Sequence, residues 1–278
     1  MGNANKVNEI RFAKYTGAGN DFIMIDNRQG AFTAARERIA GMCARRVAIG
    51  ADGLILVEPS TKAAVRMRYF NRDGGEAEMC GNGARCFVAF ARTLGLATAP
   101  LVFETMQRVL SGWTDGDTVT IAMGEVGETR LGLDLEVAGT KYRTHFTNTG
   151  VPHAIVFVDD VEGVDLETLG RAIRFHEAFG SPGANANFVR LDADGELTVR
   201  TYERGVEGET LACGTGVVAA AVIAHLVENV RPPVNVRVRS GDVLTVGFRR
   251  EGEAFADVTL AGPAVHVYDG VYRVGDAS

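Results

Sequence analysis

Met79-Cys80-Gly81-Asn82-Gly83-Ala84-Arg85 returns later in the chain as Ala212-Cys213-Gly214-Thr215-Gly216-Val217. Each stretch is a cysteine followed by Gly-x-Gly and then a run of small, mostly apolar residues with helical character. The 133 positions that separate Cys80 from Cys213 also carry Gly75-Glu76 onto Gly208-Glu209, Thr16-Gly17 onto Thr149-Gly150 and Asp26 onto Asp159. Matches in one register across separated segments point to duplication. The chain therefore reads as two similar halves, each presenting one cysteine at the start of a helix, and its 278 residues give room for both. Such a molecule is expected to need two thiols that face each other.

Composition bounds the alternatives. Hydrophobic residues make up 46% and charged residues 23%, enough for each half to bury its own core in a soluble globular protein. The net charge is −6 with Lys and Arg dispersed, which argues against nucleic acid as a partner. No apolar run follows Met1 to Lys6, so no secretory signal is expected, and Lys6 stands where a myristoylation motif wants Ser or Thr. The longest apolar run, Leu211 to Val227, is interrupted and falls short of the ~20 residues a membrane span needs. No membrane association is expected, and the default compartment is the cytoplasm. Four cysteines without a Cys-x-x-Cys are too sparse for a disulfide scaffold and are expected to be reduced.

Working outward from the first cysteine, Ala84 to Leu94 reads as a helix with Arg85 and Arg92 on a shared polar edge and Gly95 as its stop. Its second copy, Val217 to Val227, is apolar all round apart from His225, which predicts a helix wrapped by other elements. The expected fold class is α/β (α+β), each lobe a mixed sheet about a central helix. Strands are predicted at Ile10–Lys14, Phe22–Ile25, Leu54–Val57 and Val65–Tyr69, and in the second half at Leu131–Val137, Tyr142–Phe146, Ala154–Val158, Asn187–Val189 and Leu197–Tyr202. Val119–Gly124 resembles Val258–Gly262, a further trace of duplication. Thr33 is the expected cap of a helix with Ala35, Ile39, Met42 and Cys43 on its apolar face, and Asp165 the cap of one through Leu166, Leu169 and Ile173. Thr149 to His153 reads as a turn. The polar stretch Glu125 to Thr129 marks the expected boundary: residues 1–126 form one lobe, 127–262 the other, and 263–278 return to the first. Gly17-Ala18-Gly19 lacks a third glycine and a following helix, so a dinucleotide site is rejected.

A helix N-terminus offers unpaired N–H groups and partial positive charge, which favour a thiolate and bind a carboxylate equally well. Glycines on either side of Asn82 and Thr215 let the backbone approach a ligand. Two such ends around one small acid would set a thiol on each side of its α-carbon. One thiolate removes the proton, the opposite thiol returns one, and backbone donors hold the enediolate between them. That is racemase or epimerase chemistry without metal or pyridoxal phosphate, so no cofactor is expected. Cys43 and Cys86 read as small core hydrophobes. His153 matches Asn20 in the repeat register and is expected to orient a thiol or exchange a proton with it. The Glu203-Arg204 pair precedes Cys213, and Arg204 is a candidate for gripping a carboxylate.

Gly17-Ala18-Gly19-Asn20-Asp21-Phe22, Met79 through Cys86, Pro152-His153, Glu203-Arg204-Gly205 and Glu209 through Gly216 together resemble the diaminopimelate epimerase family, over nearly the whole chain from about Phe12 to Gly262-Pro263-Ala264. The resemblance implies two pseudo-symmetric lobes with substrate in the cleft between them. It implies cofactor-free interconversion of L,L- and meso-diaminopimelate in lysine and cell-wall precursor synthesis, on a small diamino-dicarboxylate, and a chain that forms homodimers. It implies Cys80 and Cys213 as the acid/base thiols, assisted by His153 and Glu203. Binding residues carry over to Asn20, Asn71, Asn185 and Arg204, with backbone donors at Gly81-Asn82 and Gly214-Thr215. Two positions depart from the pattern: Val151 where many members have Asn, and Gly53 where many have Gln. The nearest alternative is a proline racemase-like two-cysteine enzyme, disfavoured because Arg204 and the asparagines would stand unpaired beside a small ring. A thiol redox protein wants a close Cys-x-x-Cys, and a zinc module wants more ligands than Cys80, Cys213 and His153.

Overall fold

The computed structural model describes residues 8–77, 80–96 and 100–274; Met79 of the first motif, Glu78 and the Met1 to Lys6 stretch lie outside the described residues. Two compact units emerge, one of the described residues up to Asp117 together with those from Ala264 onward, the other of Thr118–Pro263. The division thus precedes the polar 125–129 stretch expected from sequence.

The first unit contains β1 (Asn8–Gly17), β2 (Asn20–Asp26), α1 (Arg36–Cys43), β3 (Gly53–Glu58), β4 (Val65–Asn71), β5 (Glu76–Ala77), α2 (Gly81–Thr93), β6 (Leu101–Glu104) and β7 (Val109–Asp115). The second contains β8 (Thr118–Ala122), β9 (Thr129–Val137), β10 (Thr140–Asn148), β11 (Pro152–Phe157), α3 (Arg171–Arg174, continuing a π turn at Leu166–Gly170), β12 (Asn185–Leu191), β13 (Leu197–Glu203), β14 (Gly208–Thr210), α4 (Gly214–Glu228), β15 (Val234–Arg237), β16 (Val243–Glu251) and β17 (Ala254–Pro263). The chain then returns to the first unit as β18 (Val265–Val274).

Pairing repeats the duplication strand by strand. In the first unit β1/β2 is antiparallel, β2/β3 parallel, β3/β4 antiparallel, β4/β5 a hairpin, β4/β6 parallel and β6/β7 antiparallel. The second unit gives the same succession for β10/β11, β11/β12, β12/β13, β13/β14, β13/β15 and β15/β16. The copies differ at the edge. β10 is flanked by its hairpin partner β9, whereas β1 is flanked by β18 from the far end of the chain. β8 belongs to the second unit because it pairs with β17, Leu260 opposite Ile121. That pairing explains why the unit boundary falls where it does.

Each unit wraps its sheet about one helix. α2 packs against β1, β2, β3, β4, β7 and β18, and α4 against β10, β11, β12, β13, β15 and β16. Val217 through Ala224 are all buried, as expected of a helix apolar on every side. α2 differs from its reading, because Arg85 does not share an exposed edge with Arg92. It is fully buried and donates to the Asn82 side chain at 2.8 Å, which supplies the partner a buried guanidinium needs. α1 starts later than expected. Its cap is Ala35, whose carbonyl accepts from Ile39 at 3.0 Å, so Thr33 stands outside the first turn. Asp165 does cap its helix, accepting from the Thr168 N–H at 3.1 Å. Among the described residues no helix is long and apolar enough to cross a membrane.

The hairpin before each cysteine is pinned by the same device. Arg68 forks onto Glu76 at 2.9 and 2.7 Å between β4 and β5. Arg200 forks onto Glu209 at 2.7 and 2.9 Å between β13 and β14. Arg200 also donates to the Val161 carbonyl at 2.7 Å, tying the second hairpin to the turn before α3. Bidentate charge-assisted bonds of this kind fix geometry as well as energy.

Candidate active site

Both cysteines are the N-cap residues of their helices. Cys80 has φ −119° and ψ 123°, Cys213 φ −111° and ψ 106°, and neither side chain is spent on capping its own helix. The extended backbone directs each carbonyl into the first helical bond, Ala84 N–H to Cys80 O at 2.8 Å and Val217 N–H to Cys213 O at 2.9 Å. The next two residues, Gly81-Asn82 and Gly214-Thr215, open helices of 13 and 15 residues, so their N–H groups lie where no intrahelical acceptor reaches. A thiol beside a row of such donors is placed to ionise and to sit next to a bound carboxylate.

The second glycine of each motif serves internal packing as well as ligand approach. A Cβ on Gly83 would lie 3.0 Å from the Ile55 side chain, and one on Gly216 would lie 2.5 Å from the Asn187 amide oxygen. Glycine here lets the first helical turn sit against a core strand.

In the second unit the predicted residues converge. Glu203, the last residue of β13, accepts from Thr210 Oγ1 at 2.8 Å and is hydrogen-bonded to Cys213. Burial raises its carboxyl above the usual range, and the bonds from Thr210 and Cys213 only partly offset this. Cys213, itself buried, also lies 3.5 Å from Thr215 Oγ1. Thr149 donates to the Thr215 carbonyl at 2.9 Å, fastening the loop before β11 to the start of α4. Asn185 bridges two backbone groups, donating to the Pro152 carbonyl at 3.0 Å and accepting from the Arg204 N–H at 2.8 Å. It thereby holds the turn that carries Arg204, and among the described residues only one of its two amide hydrogens is engaged. Arg204 is half-buried and makes no ion pair among the described residues, unlike Arg174, Arg190 and Arg200 nearby in sequence.

His153 lies within β11, opposite Asn185, rather than in the turn expected there; only Thr149 to Val151 remain as the turn. It is completely buried. Burial above all, with the nearby Arg204 charge adding to it, pushes its imidazole down to about 3. It is therefore neutral across the working pH range. Its Nδ1 lies 3.2 Å from Asn187 Nδ2, and its Nε2 is buried without a hydrogen-bond partner among the described residues. An unmatched buried donor costs about 1–3 kcal/mol, so it is an unusual thing for a fold to retain.

In the first unit Asn20, at the start of β2, donates to Asp52 Oδ2 at 3.1 Å and accepts from Asn82 Nδ2 at 2.8 Å. Asp52 and Asp21 share Arg45 at 2.7 and 2.5 Å, and the buried Lys14 pairs with Asp21 at 2.8 Å and donates to the Gly50 carbonyl. Burial works against the Asp21 carboxylate, but the Arg45 and Lys14 hydrogen bonds outweigh it and hold the group below its ordinary range. This charged network fixes Asn20, and through it the Asn82 side chain one residue after Gly81. Asn71, at the end of β4, is exposed. Cys43 and Cys86 are core residues, raised by burial to about 11 and about 12, and stay thiols.

The diaminopimelate epimerase family model matches residues 12–128 and 145–267. The chain belongs to the diaminopimelate epimerase family. Diaminopimelate epimerase of Chlorobaculum tepidum is 44% identical over 259 residues, covering 92% of this chain and 98% of that one. Diaminopimelate epimerase of Aquifex aeolicus is 41% identical, covering 94% and 97%. Among solved structures, a phenazine biosynthesis protein of the PhzF family from Bacillus anthracis superposes with a TM-score of 0.70 at 19% identity, covering 96% of this chain and 99% of that one, a likeness of fold. Gly53 has a structural reason of its own. A Cβ there would stand 2.5 Å from the Phe70 carbonyl and 2.6 Å from the Tyr69 ring, so β3 and β4 approach too closely for a side chain.

Sequence reasoning passed over Asn187, Thr201, Thr210 and Asp52, whose side chains hold the named residues. For Asn187 a signal existed: it lies two residues after Asn185 on one strand, hence on the same face.

Proposed function

We propose that this protein epimerises L,L-diaminopimelate to meso-diaminopimelate without a cofactor, supplying lysine and peptidoglycan precursors. The observation that carries this reading is the pair of cysteines at equivalent helix caps of a duplicated unit, in a chain of this family. One thiolate takes the α-hydrogen as a proton, becoming a thiol, while the C–H electron pair moves into the carboxylate to give an enediolate. The other thiol delivers its proton to the opposite face of that carbon and becomes the thiolate. Cys80 and Cys213 must therefore address opposite faces of one carbon. The N–H groups of Gly81-Asn82 and Gly214-Thr215 are suited to the reacting carboxylate, whose charge grows in the transition state. Glu203, bonded to Cys213 and raised by burial, suits a role in passing a proton to or from that thiol. His153 is a polar partner of the thiol chemistry.

Arg204, which makes no ion pair among the described residues and whose backbone N–H is held by Asn185, suits the distal carboxylate, and Asn71 and Asn20 are proposed as further binding residues. Val151 removes one amide that many family members place there, so affinity rather than reaction type is where this chain should differ. A small-ring substrate would leave Arg204 and the asparagines without partners.

The test is incubation of the reduced protein with L,L-diaminopimelate in D2O, following α-hydrogen exchange and configuration, with L-proline and the Cys80→Ala and Cys213→Ala variants in parallel. Epimerisation with deuterium at the inverted carbon, lost in both variants, is the expected result. Exchange on proline alone would overturn the substrate. Full activity in either variant would overturn the two-thiol mechanism.

A further inference from the structure

Asn187 is fully buried on β12, and its amide orientation is fixed by its neighbours. Nδ2 donates to the Ala154 carbonyl at 3.0 Å and the Asn185 carbonyl at 3.2 Å, and Oδ1 accepts from Thr201 Oγ1 at 2.9 Å. Two carbonyls can only accept, so Nδ2 is the donor end. The same Nδ2, whose two hydrogens are shared among three acceptors, also lies 3.2 Å from His153 Nδ1; an amide nitrogen has no lone pair to accept with, so it cannot receive a proton from the ring. A donor facing Nδ1 requires a lone pair there, which puts the imidazole proton on Nε2, the atom that is buried with no partner of its own among the described residues. On the other side Gly216, in the first turn of α4, makes space for the amide, since a Cβ there would stand 2.5 Å from Asn187 Oδ1.

The equivalent place in the first unit is built differently. β2 and β3 are in register at Phe22 and Gly53, β11 and β12 at Ile155 and Asn187, so Gly53 occupies the position of Asn187. Asn20, the counterpart of His153, is held instead by Asp52 and Asn82. The asymmetry means the second unit carries a device for one imidazole that duplication alone did not supply.

We infer that Asn187, backed by Thr201, is a positioning residue that fixes His153 in the Nε2–H tautomer, so that His153 acts in the reaction as a hydrogen-bond donor to an anionic acceptor and not as a base. The acceptor is a thiolate sulfur or a substrate carboxylate oxygen, and this half of the inference rests on the function proposed above. The tautomer does not. Complete burial and the charge of Arg204, the group whose field reaches the ring, both work against an imidazolium.

The experiment is nitrogen NMR of the protein carrying 15N-labelled histidine, together with kcat and KM on diaminopimelate across pH. Expected for the wild type is that the imidazole whose signal disappears in His153→Gln carries its proton on Nε2 and does not titrate between pH 6 and 9; His145, whose Nδ1 accepts from Gly132 N–H, is told apart by that assignment. Asn187→Asp presents a carboxylate to Nδ1 and is expected to move the proton there, to lower kcat by about 10²-fold, the usual cost of one lost transition-state donor, and to leave KM much less changed. Thr201→Val keeps the amide and covers the case in which Asn187→Asp does not fold; a mixture of tautomers and a roughly fivefold lower kcat, about one ordinary hydrogen bond, is expected. A wild-type proton on Nδ1, or titration of this imidazole near neutrality, would overturn the inference. So would a tautomer switch that leaves kcat unaltered, since the donor role would then be empty. An Nε2–H imidazole in a protein inactive on diaminopimelate supports the tautomer while sinking the proposed function.

Discussion

A buried neutral histidine makes stability depend on acid. The folded His153 titrates at about 3, below its ordinary 6.5, so between those values the unfolded chain binds a proton that the folded chain refuses. Its contribution is intact above pH 6.5 and is lost as the pH falls toward 3, roughly 5 kcal/mol in all. His153→Gln, which cannot titrate, is expected to flatten that part of the stability curve in urea unfolding from pH 7 to 4, and an unchanged slope would contradict the burial argument. Glu203, proposed to pass a proton to or from Cys213, is tested kinetically. Glu203→Gln keeps the shape and the approach to Thr210 but cannot carry a proton to or from Cys213, and kcat is expected to fall by at least about 10²-fold; a loss under twofold would leave Glu203 a packing residue. Gly53→Ala is expected to cost about 1–3 kcal/mol, because its new Cβ meets a backbone carbonyl rather than a movable side chain. Equilibrium unfolding checks it. At this scale the residue types were legible where burial and spacing depend on identity, as with the two helix-cap cysteines and the two core cysteines. Arg85 was not, since a charge on a helix reads as exposed until a buried partner such as Asn82 is seen.

The elements that lead into the two cysteines are hairpins held by Arg–Glu forks, and the two forks differ in burial. Arg200 keeps 10% of its side chain exposed and Arg68 25%. Removing one partner of a buried pair strands the other, at about 3–5 kcal/mol, whereas an exposed pair contributes about 0–1. Glu209→Gln is therefore expected to destabilise the second unit by roughly 2–3 kcal/mol, reduced from the buried limit because Glu209 is 24% exposed, and Glu76→Gln the first unit by clearly less. Hydrogen exchange resolved over β13–β14 and β4–β5 measures both, and equal losses would contradict the ranking. The Gly75-Glu76 and Gly208-Glu209 match was visible as a repeat in the sequence, but its arginine partners were not. They lie across the hairpin, at a separation that cross-strand register alone specifies.

For the molecule as a whole, the last strand completes the first unit. β18 pairs with β1 from Asn8 through Thr16, so a chain ending at Pro263 would leave β1 as an open edge. Such a truncation is expected to remove exchange protection from β1 and β2 while β10 to β17 retain theirs; unaltered protection in β1 would overturn that assignment. The duplication, the α/β class, the central helices and the identity of both helix-cap cysteines followed from the sequence alone, because they rest on residue type, spacing and local periodicity. The tertiary structure decided which unit β8 joins, where Arg85 goes, that His153 belongs to a strand, and that Asn187 and Thr201 stand behind it. Those facts depend on which strands lie side by side and which atoms burial forces into partnership. Neither is written in any local stretch of chain, since hydrogen-bond demand inside a core is met by whatever the fold brings within about 3 Å.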